Sequence, residues 1–348
     1  MPYNELRRDY LLNRWVVIAT ERGRRPTDFV RAGKTQAKVG ICPLCPGNEH
    51  MTPPAVLLYL KRGDRIEKER DENGFRRKDW LVRCVTNLYP AFTPPNKPME
   101  KFVHSEIMKS ENLASAVGHH EVLVESPVHD DHPSDANPSQ IVHVINAYLD
   151  RFRELSSKAY VRYISIFRNH GLEAGASLSH AHSQIIATPV TPRIVEEELA
   201  SSQKYWKEKG ECVFCKILER EKAGPRLIAE NSHFTVFAPW ASIAPLEFWI
   251  FPKRHMASLV EISEGEVETL AYTLKACFRG LKRLLNDPPY NFGFHTSMDG
   301  GTCPHYHWHL EVYPKLSIWA GFEKSTGMYI NTVSPETAAE SLREAISA

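Results

Sequence analysis

Short apolar runs bounded by turn residues alternate along this chain with a few long amphipathic stretches. Residues 10–20 read as a strand pair around a polar turn. Trp80 to Asn87 is a strand ending on a polar residue, and His120 to Val124 alternates as another, closed by Ser126-Pro127-Val128-His129. From Pro138 to Tyr160, Ile141, Val144, Ile145, Tyr148, Phe152 and Leu155 recur at helical spacing and form one apolar stripe. Tyr163 to Asn169 is again a strand. It feeds a glycine-bearing loop, Gly171 to Gly175, and then the run Ser177-Leu178-Ser179-His180-Ala181-His182-Ser183-Gln184 enters the apolar Ile185-Ile186-Ala187. Pro192 to Gly210 is charged and amphipathic, a connecting helix.

The pattern then begins again. Phe234 to Phe237 is a strand, and Glu247 to His255 echoes Glu121 to His129: strand, proline, histidine. Ser263 with Glu266 is a capping box opening a helix that carries Val267, Leu270, Leu274, Phe278 and Leu281 on one face. Tyr290 to Phe294 is a strand, and His305, His307 and His309 form a second histidine row. Each half also starts with a C-x-x-C pair, Cys42/Cys45 and Cys212/Cys215. The order Cys-Cys, strand-His, helix, strand, His-x-His runs twice, which is an internal duplication. Hairpin-like strands with one long helix per half, rather than a βαβ alternation, predict an α+β fold.

On a strand, residues two apart share a face, so His180, His182 and Gln184 are expected in one row. Such a row could be the polar face of a surface strand. The cysteines and the repeat favour chemistry instead. Cys42, Cys45, His129 and His180 would make a closed Cys2His2 site, whose four protein ligands suit structural zinc. Cys212, Cys215, His255 and one histidine of the later row would make a second, with His307 favoured over His305 and His309. If metal takes His180, His182 stays free as a neutral imidazole able to attack phosphorus. Gln184 would donate its amide to a phosphoryl oxygen. Ser177 and Ser179 are candidate further donors. The basic loop Glu21 to Pro26 is either a solvated charge run or an arginine clamp on phosphate.

Composition narrows the classes. The chain has 348 residues, 42% apolar and 24% charged, enough for about two domains. A formal net charge of +1 excludes a polyelectrolyte nucleic-acid binder. No run of about 18 apolar residues predicts a membrane span. The first residues mix Arg7, Arg8, Asp9 and Arg14 with apolar side chains, so no signal peptide is read, and a cytoplasmic protein is expected.

Asn169 through Gln184, with its asparagine, glycine loop, serine and His-x-His-x-Gln, resembles the galactose-1-phosphate uridylyltransferase family of the histidine-triad superfamily. The resemblance runs from Trp15 to about Arg343. It implies tandem histidine-triad-like halves, residues 1–195 with the catalytic row and 196–348 with the second metal site. It implies His182 as nucleophile and Gln184 as its phosphoryl contact. Arg22, Arg25, Asn87, Asn169 and Ser177 would bind substrate. The implied reaction moves a uridylyl group from UDP-glucose to galactose 1-phosphate through a uridylyl-histidine, in a homodimer whose sites are completed by the partner's C-terminal loop. Two departures leave the base and acceptor open. His-Ala-His-Ser-Gln stands where the family has His-Pro-His-Gly-Gln, and serine there resembles an ADP-glucose phosphorylase, which passes an adenylyl group to inorganic phosphate. Residues 321–327 also lack a clear match to the family's sugar-contact run. The alternative of another class is a zinc-stabilised binding protein without turnover.

Overall fold

The computed structural model describes residues 4–20, 26–30, 40–72, 74–97, 107–110, 112–299, 301 and 303–348. The predicted phosphate clamp, Arg22 and Arg25, lies outside these. The chain opens with a hairpin, β1 (Glu5–Arg8) and β2 (Trp15–Ile18). Its turn is held by the Asp9 carboxylate, which accepts from the backbone N–H groups of Leu11 and Leu12. The first half then supplies β3 (Ala55–Arg62), β4 (Arg65–Glu69), β5 (Trp80–Thr86), the short β6 (Met108–Ser110) and β7 (Leu113–Ala114), and β8 (His119–Val124). Helix α1 (Pro138–Ser156), β9 (Tyr163–His170) and β10 (His182–Thr188) complete it. After the linking α2 (Arg193–Lys209), the second half runs α3 (Val213–Lys222), β11 (Leu227–Glu230), β12 (Phe234–Phe237), β13 (Phe248–Pro252), α4 (Glu264–Leu285), β14 (Tyr290–His295) and β15 (His309–Pro314). The chain closes with α5 (Gly321–Thr326), β16 (Tyr329–Asn331) and α6 (Pro335–Ser347).

The two half-sheets are not separate. They join edge to edge into one 11-stranded sheet, β11-β12-β13-β15-β14-β9-β10-β8-β5-β3-β4. Read outward from the β9–β14 seam, the first five strands of each half follow the same order, with β4 an extra edge strand on the first, so a pseudo-two-fold axis crosses the seam. Phe167 pairs with Gln184 and Gly293 with Glu311, and Phe167 and Gly293 pair with each other across the seam. The register corrects one detail of the repeat. Gln184 faces Val122 and Glu311 faces Trp249, so Val122 corresponds to Trp249 rather than to Phe248. The initial hairpin joins the far end of the chain, with β16 parallel to β2.

Local sequence explains the two long helices. Asn137 caps α1 by accepting from Ser139 N–H, with Pro138 in the first turn. The predicted stripe, Ile141 through Leu155, is buried. The Ser263–Glu266 capping box opens α4, and Asn286 ends it in the left-handed conformation at φ 57°. Both helices pack side by side on one face of the sheet, over Leu123, Ile164, Ile166, Ile185 and Ala187. Burying each of these leucine and isoleucine side chains stabilises the fold by about 1.5–3 kcal/mol. The opposite face carries the cysteine knuckles. Cys42 and Leu44 pack on Val122 and Val124, and Cys212, Phe214 and Ile217 on Trp249 and Phe251. Alternation along β10 therefore sends Ser183, Ile185 and Ala187 to the helices and His182, Gln184 and Ile186 to the knuckle side. No helix of the described residues is long and apolar enough to cross a membrane.

Candidate active site and metal centres

Both histidine rows sit at strand starts rather than within strands. β10 begins at His182 and β15 at His309, so His180 and His307 precede the ladders and reach the knuckles. The ligand atoms of Cys42, Cys45, His129 and His180 all lie within 4.8 Å of one another. His180 donates Nε2–H to the Ser126 carbonyl at 2.9 Å, which leaves the Nδ1 lone pair facing the thiols, 3.4 Å from Cys45 Sγ and 3.8 Å from Cys42 Sγ. His129 does the same. Its Nε2 meets Ser179 Oγ at 2.8 Å and its Nδ1 lies 3.2 Å from Cys45 Sγ. The structure thus places Ser179 behind a cluster histidine. Two thiols and two outward-tethered imidazoles, with sulfur–nitrogen separations of 3.2–3.8 Å, fit tetrahedral zinc.

Cys212, Cys215, His255 and His307 form the second such group. Cys215 Sγ is 3.3 Å from His255 Nδ1 and 3.6 Å from His307 Nδ1. The alternates go elsewhere: His305 Nε2 lies 3.4 Å from Cys303 Sγ, and His309 joins Glu198, His295 and Glu311 in a third group of possible metal ligands. Burial works against charge on His295, but Glu198 and Glu311 raise its pKa to about 9. Glu198, on the helix read only as a connector, also accepts from Tyr306 Oη at 2.7 Å. His309 stacks at 4.6 Å on Phe251 and is fully buried, so aromatic side chains fill the second half's counterpart of the His182 row.

His182 is buried as well, with 7% of its surface exposed. Its Nδ1–H donates to the His180 carbonyl at 2.7 Å, which fixes the tautomer and puts the lone pair on Nε2. Burial first, then the nearby Arg168 guanidinium, lowers its pKa, so the ring is neutral at pH 7. Behind the strand, Glu125 accepts from Ser183, Tyr148 and Arg168, while Arg168 Nη2 meets His132 Nδ1 at 2.7 Å. The serine of His-Ala-His-Ser-Gln is thus a buried anchor on the helix side, a role glycine could not fill.

Gln184 is half-buried beside His182, and its Oε1 lies 2.7 Å from His120 Nε2. Asn87 Nδ2 lies 3.1 Å from that same nitrogen. Asn169 accepts from Asn291 Nδ2 at 2.7 Å and lines the Gly175 turn, where a Cβ would stand 3.8 Å from its own Nδ2. Ser177 is exposed on the loop. Sequence reasoning missed His120, whose signal was its position on the site face of β8, two residues from Val122.

A model of a domain of unknown function, DUF4921, matches residues 133–348. ADP-glucose phosphorylase of Arabidopsis thaliana is 35% identical over 345 residues, covering 98% of this chain and 92% of the relative. Galactose-1-phosphate uridylyltransferase of Thermotoga maritima is 31% identical over 349 residues, covering 98% of each. The chain belongs to the galactose-1-phosphate uridylyltransferase family. The crystal structure of the Arabidopsis ADP-glucose phosphorylase with bound ADP-glucose superposes with a TM-score of 0.80 at 34% identity, covering 99% of each chain. Membership makes the protein a nucleotidyltransferase-type enzyme acting on sugar phosphates, and its α+β architecture is the family's.

Proposed function

We propose that His182 of this family member takes a nucleotidyl group from a nucleotide sugar and passes it to a phosphate acceptor. The observation that carries the reading is the His182 ring, with Nδ1–H tied to the His180 carbonyl and Gln184 beside it. Nε2 attacks the α-phosphorus, a P–N bond forms, and the P–O bond to the sugar phosphate breaks with its electron pair on the leaving phosphate. Gln184 donates an amide N–H to a non-bridging oxygen as charge builds there. The acceptor oxygen then attacks phosphorus and the P–N bond breaks, which restores the imidazole. Asn87, Asn169, Ser177, Arg22 and Arg25 are proposed as substrate contacts.

Within that class we favour ADP-glucose phosphorolysis, giving glucose 1-phosphate and ADP. The serine at position 183 and the similarity to the Arabidopsis enzyme support it. The UDP-glucose to galactose 1-phosphate reaction is the second reading, supported by the full-length likeness to the Thermotoga enzyme. Zinc at the two Cys2His2 groups would hold the knuckles against the sheet and orient the His180 carbonyl, with no role at phosphorus. A homodimer is supported by Ile318 and Phe322, exposed near the C-terminus. Seven free cysteines support the reducing cytoplasm.

Incubation with ADP-glucose or UDP-glucose labelled in the nucleotide, then denaturation, should leave acid-labile, base-stable label on the protein. The retained nucleotide decides between the readings, and His182→Ala should abolish labelling with its metal content unchanged. Absence of label from both donors would leave a zinc-stabilised binding protein.

A further inference from the structure

The Gln184 amide can meet a phosphoryl oxygen only if its nitrogen, and not its oxygen, faces the ligand. Nothing in a glutamine fixes that choice, because a half-turn about its last bond exchanges the two ends. His120 fixes it here. The Ala91 backbone N–H donates to His120 Nδ1 at 3.1 Å. A backbone N–H cannot accept, so Nδ1 carries the lone pair and the neutral ring holds its proton on Nε2. That Nε2–H has an acceptor in Gln184 Oε1 at 2.7 Å. Asn87 Nδ2, 3.1 Å from the same nitrogen, is itself a donor, because Asn87 Oδ1 already accepts from Tyr89 N–H at 2.9 Å. The proton therefore goes to Gln184, and the amide NH2 is left on the open side of the row.

The fold makes this arrangement stiff. His120 pairs with Ile186 across the β8–β10 ladder, and Gln184 with Val122, so both side chains leave the same face. Asn87 N–H donates to the His120 carbonyl at 2.8 Å, which ties the end of β5 to that point of β8. His120 is 8% exposed, so solvent offers little competition for its ring proton.

We propose that His120 is a positioning residue for nucleotidyl transfer. Its Nε2–H holds the Gln184 carbonyl so that the amide N–H groups face a non-bridging oxygen of the transferred phosphoryl group. The proposal rests on the nucleotidyl-transfer reading, and its test separates the two.

His120→Phe keeps the ring's bulk and removes the donor, whereas His120→Gln restores an N–H at about the Nε2 position. Single-turnover labelling of His182 is measured with the Sp and Rp α-thio diastereomers of the donor that labels the wild type. The wild type should prefer one diastereomer, since one oxygen faces Gln184. In His120→Phe the labelling rate should fall at least about tenfold with KM little changed, as for a weakened transition-state donor. Its diastereomer preference should shrink towards one, and His120→Gln should recover both. Unchanged rate and preference in His120→Phe would overturn the proposal. So would a rate loss with the preference intact, which marks a merely structural role. Ring 15N NMR of the ligand-free wild type should show His120 protonated on Nε2, and protonation on Nδ1 would overturn it independently. A wild type that takes no label from either donor overturns the parent reading and with it the catalytic role, while the NMR result still judges the tautomer.

Discussion

Gly171 follows β9 and opens the loop that delivers the His180–Gln184 row, and its replacement by alanine offers a graded test of how tightly that loop is built. Its φ of 84° with ψ of 151° lies in a region that L side chains rarely enter. A Cβ built there would stand 2.8 Å from Pro289 Cβ and 3.1 Å from Pro289 Cα, a rigid ring at the start of β14. Backbone strain of about 1–3 kcal/mol adds to an overlap of about 1–3 kcal/mol, so Gly171→Ala should cost about 2–6 kcal/mol. Gly210, the cap of α2, separates the two contributions. Its φ is 73° and a Cβ there meets nothing within 4 Å, so Gly210→Ala should cost about 1–2 kcal/mol. At about 2.1 cal/mol/K of unfolding entropy per residue, each kcal/mol moves the thermal midpoint by roughly 1.4 °C in a chain of this length. The expected drops are therefore about 3–8 °C and about 1–3 °C. Scanning fluorimetry at one scan rate compares them, and labelling of His182 reports the site. The label should form more slowly in folded Gly171→Ala and normally in Gly210→Ala. Equal midpoints for the two variants would refute the argument from Pro289.

Other consequences are as direct. Cys42→Ser should lower bound metal by about one equivalent, read by atomic emission, with loss of labelling following loss of stability; unchanged metal would remove the first centre. Arg151 and Glu121 are a buried pair at 2.6 Å under α1, so Arg151→Met should destabilise by about 3–5 kcal/mol in urea titration by leaving the carboxylate alone, whereas the double variant with Glu121→Leu should recover most of that. The Glu266 carboxylate, held first by Arg254 against some burial and then by Ser263, has its pKa lowered to about 2. Its folded value lies below the unfolded one, so its stabilisation is complete above about pH 4.5 and is lost as pH falls towards 2. The midpoint gap between wild type and Glu266→Gln should accordingly narrow below about pH 5 and close only near about pH 2, and parallel curves would contradict the ion pair.

Much of the molecule was legible in the chain because its determinants are local or repeated. The stripes of α1 and α4, their caps at Asn137 and Ser263, and the duplicated Cys-Cys to His-x-His order each depend on spacing within one segment. The period-two alternation after His182 likewise sorts Gln184 from Ser183 without any knowledge of neighbours. What the chain could not disclose depends on partners distant in sequence. That the half-sheets fuse follows from β9 meeting β14, a pairing of equivalent edges that no hydrophobic pattern encodes. Which histidine of the later row faces the second cysteine pair depends on where β15 begins, and the burial of Glu198 on Tyr306 and His295 packed against it. His120 reads in sequence as one more strand residue. Only the approach of Ala91 N–H and Gln184 Oε1, brought together by antiparallel strands, fixes its proton and gives it a task. Spacing along a chain sets which way a side chain faces, but the tautomer, charge and ligands of a histidine are set by the groups that folding brings within hydrogen-bonding distance.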